Sequence, residues 1–371
     1  MNKIYRFFMV ALLLAPALAL GQLLQLPDGG VNLKRSTGTR VGVTDIDINW
    51  NAPGVKGREG KIWGTGVAPY GFTVLGFGSN VPSPWRAGAN ENTTMRFSTD
   101  VTINGKKLPA GTYGFHIALY PDSCTLIFNR NTEGWGSYFY NSNLDVLRVT
   151  TRQQKDQPAS RERLDYVFAN HTDKSVEVAL EWERWRIPFI VGVDLTATTL
   201  ASIRTQMSGA MGFDPPSLEA AAAWCLRNEL NYDEAFNWIV SATDPNLGGR
   251  NSFNALSTKA GLLTKLNRQA EADEAMKMAL ENASAQEMHQ YGRQLLNEKK
   301  TKEAFAVFEK NFKKHKGAWP THVGMMRGYS ATGDLKKALE HARLAYAQAP
   351  NDVNKQSLEQ AIKTLESGKP L

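Results

Sequence analysis

Cysteine is nearly absent: 371 residues contain two, Cys124 in a strand-like segment and Cys225 in a helix-like one. There is no disulfide framework, and two thiols in different halves read as separate buried hydrophobes. Histidine is scarce at six, with no spacing that would assemble a metal site. H-E-x-x-H and G-x-S-x-G are both missing. "GVKGREGKI" only imitates a phosphate loop, because five residues separate Gly54 from Gly60 and Ile62 stands where a hydroxyl belongs. "GTGVAPYG" lacks the third glycine of a dinucleotide turn. Charge of one sign is not concentrated either. The +7 balance is spread along the chain, which argues against a nucleic-acid surface. No cofactor and no metal are expected.

The single long apolar run, Phe7 to Leu20, is shorter than the roughly 20 residues a membrane helix needs. With Lys3 and Arg6 before it and Ala19-Leu20-Gly21 after it, residues 1–21 read as a cleaved signal peptide. Removing those two cations takes +7 to +5. No cysteine near the cut offers a lipid anchor. The expectation is a soluble exported protein, periplasmic or extracellular, and not membrane-integral.

Two periods divide what remains. From about Val41 to Val193 apolar residues alternate. Ile46, Ile48 and Trp50 oppose Asp45, Asp47 and Asn49, and Val176, Val178, Leu180 and Trp182 oppose Glu177, Ala179 and Glu181. In "TYGFHIALY", Tyr113, Phe115, Ile117 and Leu119 share one face and His116 takes the other. Asn104-Gly105 signals a tight hairpin and Pro109-Ala110-Gly111 a second turn. Residues 22–195 are therefore expected to form an all-β antiparallel sandwich or jelly-roll-like barrel. Asp45 and Asp47 read as a solvated acidic face.

After Asp194 the period becomes helical. Residues 196–216 read as a connecting helix and linker, and 217–371 as a repeat. Small residues recur in each unit: Ala235 and Ala242, Ala272 and Ala279, Ala304, then Ala338 and Ala345. The leading alanines fall 37, 32 and 34 residues apart. This resembles the tetratricopeptide repeat, four all-α units stacked in a superhelix, with Asn311 in place of a small residue and Asp352 onward as a capping helix. Such a stack implies a protein partner. Lysines gather around the third unit (Lys299, Lys300, Lys302, then Lys310, Lys313, Lys314 and Lys316), either to attract an acidic partner or as a solvated helix end. Trp319 and His322 would line the groove or pack between units.

In the first half "KGREGKIWG", "WRAGANENT", "GKKLPAGTY", "WG" and "LRV" occur in one order. Together they resemble a family of exported bacterial proteins known as domain of unknown function 2911, over roughly Leu33 to Asp194. The resemblance implies no reaction. It implies that Lys56, Gly57 and Arg58, then Trp85, Arg86, Gly88, Ala89, Asn90 and Glu91, define the family, whose members often carry a helical-repeat tail. This chain departs from the usual spacing at Val67 to Pro84, which reads as an insertion.

"WRAGANE" admits two readings. As a site, Arg86 supplies a donor fork, Asn90 an amide, Glu91 a carboxylate and Trp85 a flat face for a polar or glycan ligand, with Arg58 as a second arm. As a turn, Arg86 pairs with Glu91, Asn90 caps backbone groups and Gly88 supplies positive φ. His116 is a candidate acid–base group without a visible partner. The sequence favours a non-catalytic envelope adaptor. The alternative is a hydrolase or lyase acting on an envelope glycan or peptide around the same loop.

Overall fold

The computed structural model describes residues 31–371; the expected signal peptide lies outside the described residues. The chain divides into two compact units, the first ending at Thr198 and the second running from Thr199 to Leu371.

The first unit is built on antiparallel strands: β1 (Leu33–Val41), β2 (Thr44–Ala52), β3 (Thr73–Val74), β4 (Pro82–Ser83), β5 (Thr93–Phe97), β6 (Val101–Ile103), β7 (Lys106–Leu108), β8 (Gly111–Leu119), β9 (Cys124–Asn129), β10 (Asp145–Thr151), β11 (Arg161–Ala169), β12 (Ser175–Glu183) and β13 (Trp185–Gly192). One sheet runs β1-β2-β5-β8-β9-β10 and a second runs β11-β12-β13-β6-β7, with β3-β4 as a separate ribbon. Two open sheets face each other, which makes a sandwich and not a closed barrel. The alternation explains the packing. Ile46, Ile48 and Trp50 of β2 and Val178, Leu180 and Trp182 of β12 are buried in one shared core. Trp50 Nε1 donates to the Leu164 carbonyl at 3.2 Å, joining the two sheets. On the outer face of β2, Asp45 pairs with Arg40 at 2.6 Å and Asp47 with Arg96 at 2.8 Å, a solvated face with cross-strand ion pairs.

Asn104 and Gly105 have φ of 47° and 81°, as a tight β6–β7 hairpin requires. The turn at Pro109–Ala110 is no hairpin, because β7 and β8 lie in different sheets. Strand structure also begins at Leu33, ahead of the first apolar alternation. β1 is a polar edge strand, so only one of its nine residues is buried. Cys124 and Cys225 are both free and buried.

The second unit is helical: α1 (Leu195–Met207, which begins in the first unit), α2 (Pro215–Arg227), α3 (Tyr232–Ala242), α4 (Phe253–Lys265), α5 (Gln269–Asn282), α6 (Ala285–Asn297), α7 (Thr301–Lys314), α8 (Trp319–Thr332), α9 (Leu335–Ala347) and α10 (Asp352–Glu366). Polar caps start several of them. Asp214 receives the Ser217 amide before Pro215-Pro216, and Ser284 forms a capping box with Glu287. Helices α2/α3, α4/α5, α6/α7 and α8/α9 pack as successive hairpins, and α10 packs on α9. Ala235, Ala279, Ala304, Ala338 and Ala345 are all 0% exposed, and Ala242 and Ala272 are 2% and 3% exposed. These positions therefore let helices approach closely. Asn311 is tolerated in such a position because its Nδ2 donates to the Ala285 carbonyl at 2.9 Å. Among the described residues no helix is long and apolar enough to cross a membrane.

Candidate ligand-binding site

Residues 53–92 connect β2 to β5, and the end of this long loop runs beside β8. Trp85 exchanges backbone hydrogen bonds with Ile117 at 3.1 and 2.9 Å, continuing the sheet past the end of β5. The next residues are strained and held. Ala87 and Asn90 take φ of 51° and 56°, a region costly for a residue with a Cβ. The Ala87 carbonyl accepts from the buried Tyr166 hydroxyl at 2.8 Å and from Thr93 Oγ1 at 3.2 Å, which holds that conformation in place. Gly88 is not a left-handed residue, contrary to the sequence expectation. It is glycine because a Cβ there would stand 2.7 Å from Thr93 Oγ1 and 3.2 Å from the Asn51 carbonyl.

Arg86 and Glu91 do not pair. Glu91 turns away and accepts from Asn51 Nδ2 at 2.6 Å. Arg86 donates from Nη1 to the Asn90 carbonyl at 2.8 Å and lies 5.1 Å from the centroid of the Tyr138 ring. Gly136 provides the room, since a Cβ on it would overlap the Arg86 guanidinium. Arg58 folds over its own turn, donating to the Val55 carbonyl at 2.9 Å and the Gly54 carbonyl at 2.7 Å. Asn90 is fixed by Asn51 Oδ1 at 3.4 Å and Asn32 Nδ2 at 3.1 Å.

Four of the six candidates, Arg58, Trp85, Arg86 and Asn90, line one cleft of about 340 Å³ together with Tyr138 and Trp182. Glu91 is outside the lining and His116 lies behind it. His116 is 2% exposed, and its Nδ1 is 3.1 Å from Ser137 Oγ, whose residue does reach the cleft. Burial drives the His116 pKa down to about 4, with Asp145 opposing and the Arg86 charge adding to the fall. The ring is therefore neutral near pH 7. No Asp, Glu, His or Cys lines the cleft, so its side-chain formal charge comes from Arg58 and Arg86. Neither guanidinium has a carboxylate within ion-pair distance among the described residues.

Trp85 offers no open face for a sugar ring. It is 5% exposed and stacks on Trp182 with centroids 6.2 Å apart. Trp63 meets both edge-on at 5.7 and 5.8 Å and stacks on Trp185 at 4.5 Å. Glu183, 7% exposed, anchors this cluster by accepting from Trp63 Nε1 and the Gly60 amide, each at 2.8 Å. Two buried polar atoms of cleft-lining residues have no partner among the described residues: Trp182 Nε1 and Thr73 Oγ1. Sequence reasoning missed Trp182, Tyr138 and Thr73 as lining residues. Trp182 ends an alternating strand and reads as core, and nothing in the sequence brings 73 and 138 to the loop at 85–91.

In the helical unit two of the gathered lysines are held by local contacts. Lys314 Nζ donates to the carbonyls of Leu280, Glu281 and Ala283 at 3.2, 2.6 and 2.7 Å, closing the C-terminal end of α5. Lys300 pairs with Glu298 at 2.9 Å. His322 packs against Phe312 and meets His341 at 2.9 Å between ring nitrogens. Among the described residues no group of three or more His, Cys, Asp or Glu is placed to hold a metal ion.

Residues 33–191 match the model of a family described as "Protein of unknown function (DUF2911)". That span covers the sandwich, and the description names no activity. No curated protein matches the chain.

Proposed function

We propose that the protein is an exported, non-catalytic binding module whose sandwich cleft holds an acceptor-rich anionic ligand. Its paired helices, read as tetratricopeptide-like repeats, hold a protein partner. The observation that carries the cleft reading is its chemistry: two guanidiniums without carboxylate partners, an unpartnered Trp182 N–H, and no general base or acid in the lining. Two guanidinium charges that no lining carboxylate neutralises favour a ligand that brings anionic oxygens, such as a carboxylate-bearing sugar at an envelope surface. Buried tryptophans serve as a rigid wall and not as a stacking platform.

The test is calorimetric titration of the full chain with galacturonate and, as its neutral counterpart, galactose. The acid is expected to bind and the neutral sugar to bind at least about tenfold more weakly. Arg86→Ala should weaken the acid by about tenfold or more, since a charge-assisted hydrogen bond is worth about 1.5–3 kcal/mol. Indifference to both Arg58→Ala and Arg86→Ala would remove the cleft from the account. Capture of a discrete envelope protein by the immobilised full chain tests the adaptor half.

One observation favours a second reading, a serine hydrolase or lyase. Ser137 Oγ at 3.1 Å from His116 is a nucleophile–base distance at the edge of the cleft, next to Arg86. Against it, Ser137 is 2% exposed and the buried His116 is a weak base. Covalent labelling of Ser137 by a fluorophosphonate, lost in Ser137→Ala, would decide for the enzyme.

A further inference from the structure

Helices α6, α8 and α10, the first helices of successive hairpins and the capping helix, each turn one face to a groove of about 580 Å³. His289 and Arg293 contribute from α6 and Trp319, Val323 and Arg327 from α8, all at spacings of four that keep them on one side of their helix. Ser357 faces them from α10. No Asp or Glu lines the groove, and neither Arg293 nor Arg327 has a carboxylate within ion-pair distance among the described residues.

Three buried polar atoms of lining residues have no partner among the described residues: His289 Nδ1, Trp319 Nε1 and Arg327 Nε. His289 itself is 7% exposed. Three unpartnered nitrogens on lining residues of two helices stand out, because a buried polar group without a partner is costly. The two guanidiniums also act on their surroundings. Burial, Arg327 and Arg293 together push His289 down to about 4, and burial with Arg293 lowers the Arg327 pKa. A site that concentrates positive charge next to a neutral imidazole is completed by an anion with several lone pairs.

We propose that this groove binds a carboxylate group, and that its source is an acidic segment of the protein partner. The inference rests on the adaptor reading of the helical unit and adds the chemistry of the contact. Arg293 and Arg327 would take the two carboxylate oxygens, and the Trp319 and His289 nitrogens would line the same pocket. None of the gathered lysines of the third unit lines the groove.

The full chain is titrated with three probes: an acetyl-capped penta-aspartate, succinate and inorganic phosphate. Binding of penta-aspartate that weakens about tenfold or more in Arg293→Gln and again in Arg327→Gln supports the proposal. Arg293 is exposed, so its variant reads the contact without the fold. Preference for the peptide over succinate assigns the carboxylate to a partner segment. Equal affinity supports the carboxylate site and overturns its assignment to a partner. Tighter binding of phosphate than of either acid, or binding unmoved by both substitutions, overturns the proposal. A captured protein partner whose retention ignores both substitutions would overturn this inference and leave the adaptor reading standing, whereas failure to capture any partner would count against that reading itself.

Discussion

Phe308 sits in a socket made by three glycines, which turns helix packing into a sign that can be measured. The ring is 0% exposed. A Cβ on Gly292 of α6 would overlap it. One on Gly324 of α8 would stand 2.7 Å from its Cδ1, and one on Gly328 of the same helix 3.1 Å from its Cδ2. Gly292→Ala should favour the helix by about 0.5–1 kcal/mol, because glycine is a poor helix former. Against that stands overpacking of about 1–3 kcal/mol, and the ring has no exit because Gly324 and Gly328 close the other side. The net expectation is a destabilisation of about 1 kcal/mol. Phe308→Ala alone should cost about 3–5 kcal/mol by leaving a cavity. In that background the clash is gone, so Gly292→Ala should now stabilise by about 0.5–1 kcal/mol. The assay is urea unfolding of the full chain followed by circular dichroism at the helical band, completed as a double-mutant cycle. The same effect of Gly292→Ala in both backgrounds, or a stabilised parent chain, would refute the socket. The socket matters beyond stability because it seats α6 on α8, and these carry Arg293 and Arg327.

Acid should act on the sandwich through His116, whose folded pKa of about 4 lies below the ordinary 6.5. The folded state then binds fewer protons, so this contribution is complete above pH 6.5. It is lost as pH falls toward 4, to a limit of about 3 kcal/mol. Unfolding of the sandwich at pH 7 and pH 4.5 should show a smaller difference in His116→Gln than in the parent chain, and equal differences would refute the assignment. Lys314→Gln should lower helical-unit stability by about 1 kcal/mol, because its ammonium closes three carbonyls at the end of α5. Lys313→Gln, on an exposed neighbour without such contacts, is the control, and equal losses from both would exclude the cap.

The fold was readable wherever burial was one-sided. Alternation in β2 and β12 and the recurrence of alanine at helix crossings both reflect a face that must leave water, and they placed the strands and the hairpin units. What alternation and turn signals left open follows from the same physics. β1 is polar because an edge strand has little to bury, so alternation could not mark it. β8 is buried on both faces, so alternation could not decide whether His116, on the side opposite Phe115, is structural or exposed; it is core. The Pro109 turn joins two sheets, and a turn signal carries no information about which sheet the next strand enters.

The candidate cleft was readable in part because its two kinds of residue leave different traces. Arg58, Arg86 and Asn90 sit in loops where nothing in the core demands an arginine or an asparagine, so their chemistry stands out. Trp182 stands out in no such way. Its ring is a wall of the core and its Nε1 lies unpartnered beside the cleft, and alternation registers only the ring. Glu91 shows the opposite error. A carboxylate five residues after an arginine suggests an ion pair, yet the left-handed turns at Ala87 and Asn90 carry the chain around and deliver Glu91 to Asn51. With the expected partner turned away, Arg86 keeps its charge for the cleft, and that is the strongest physical reason to regard the loop as more than a turn.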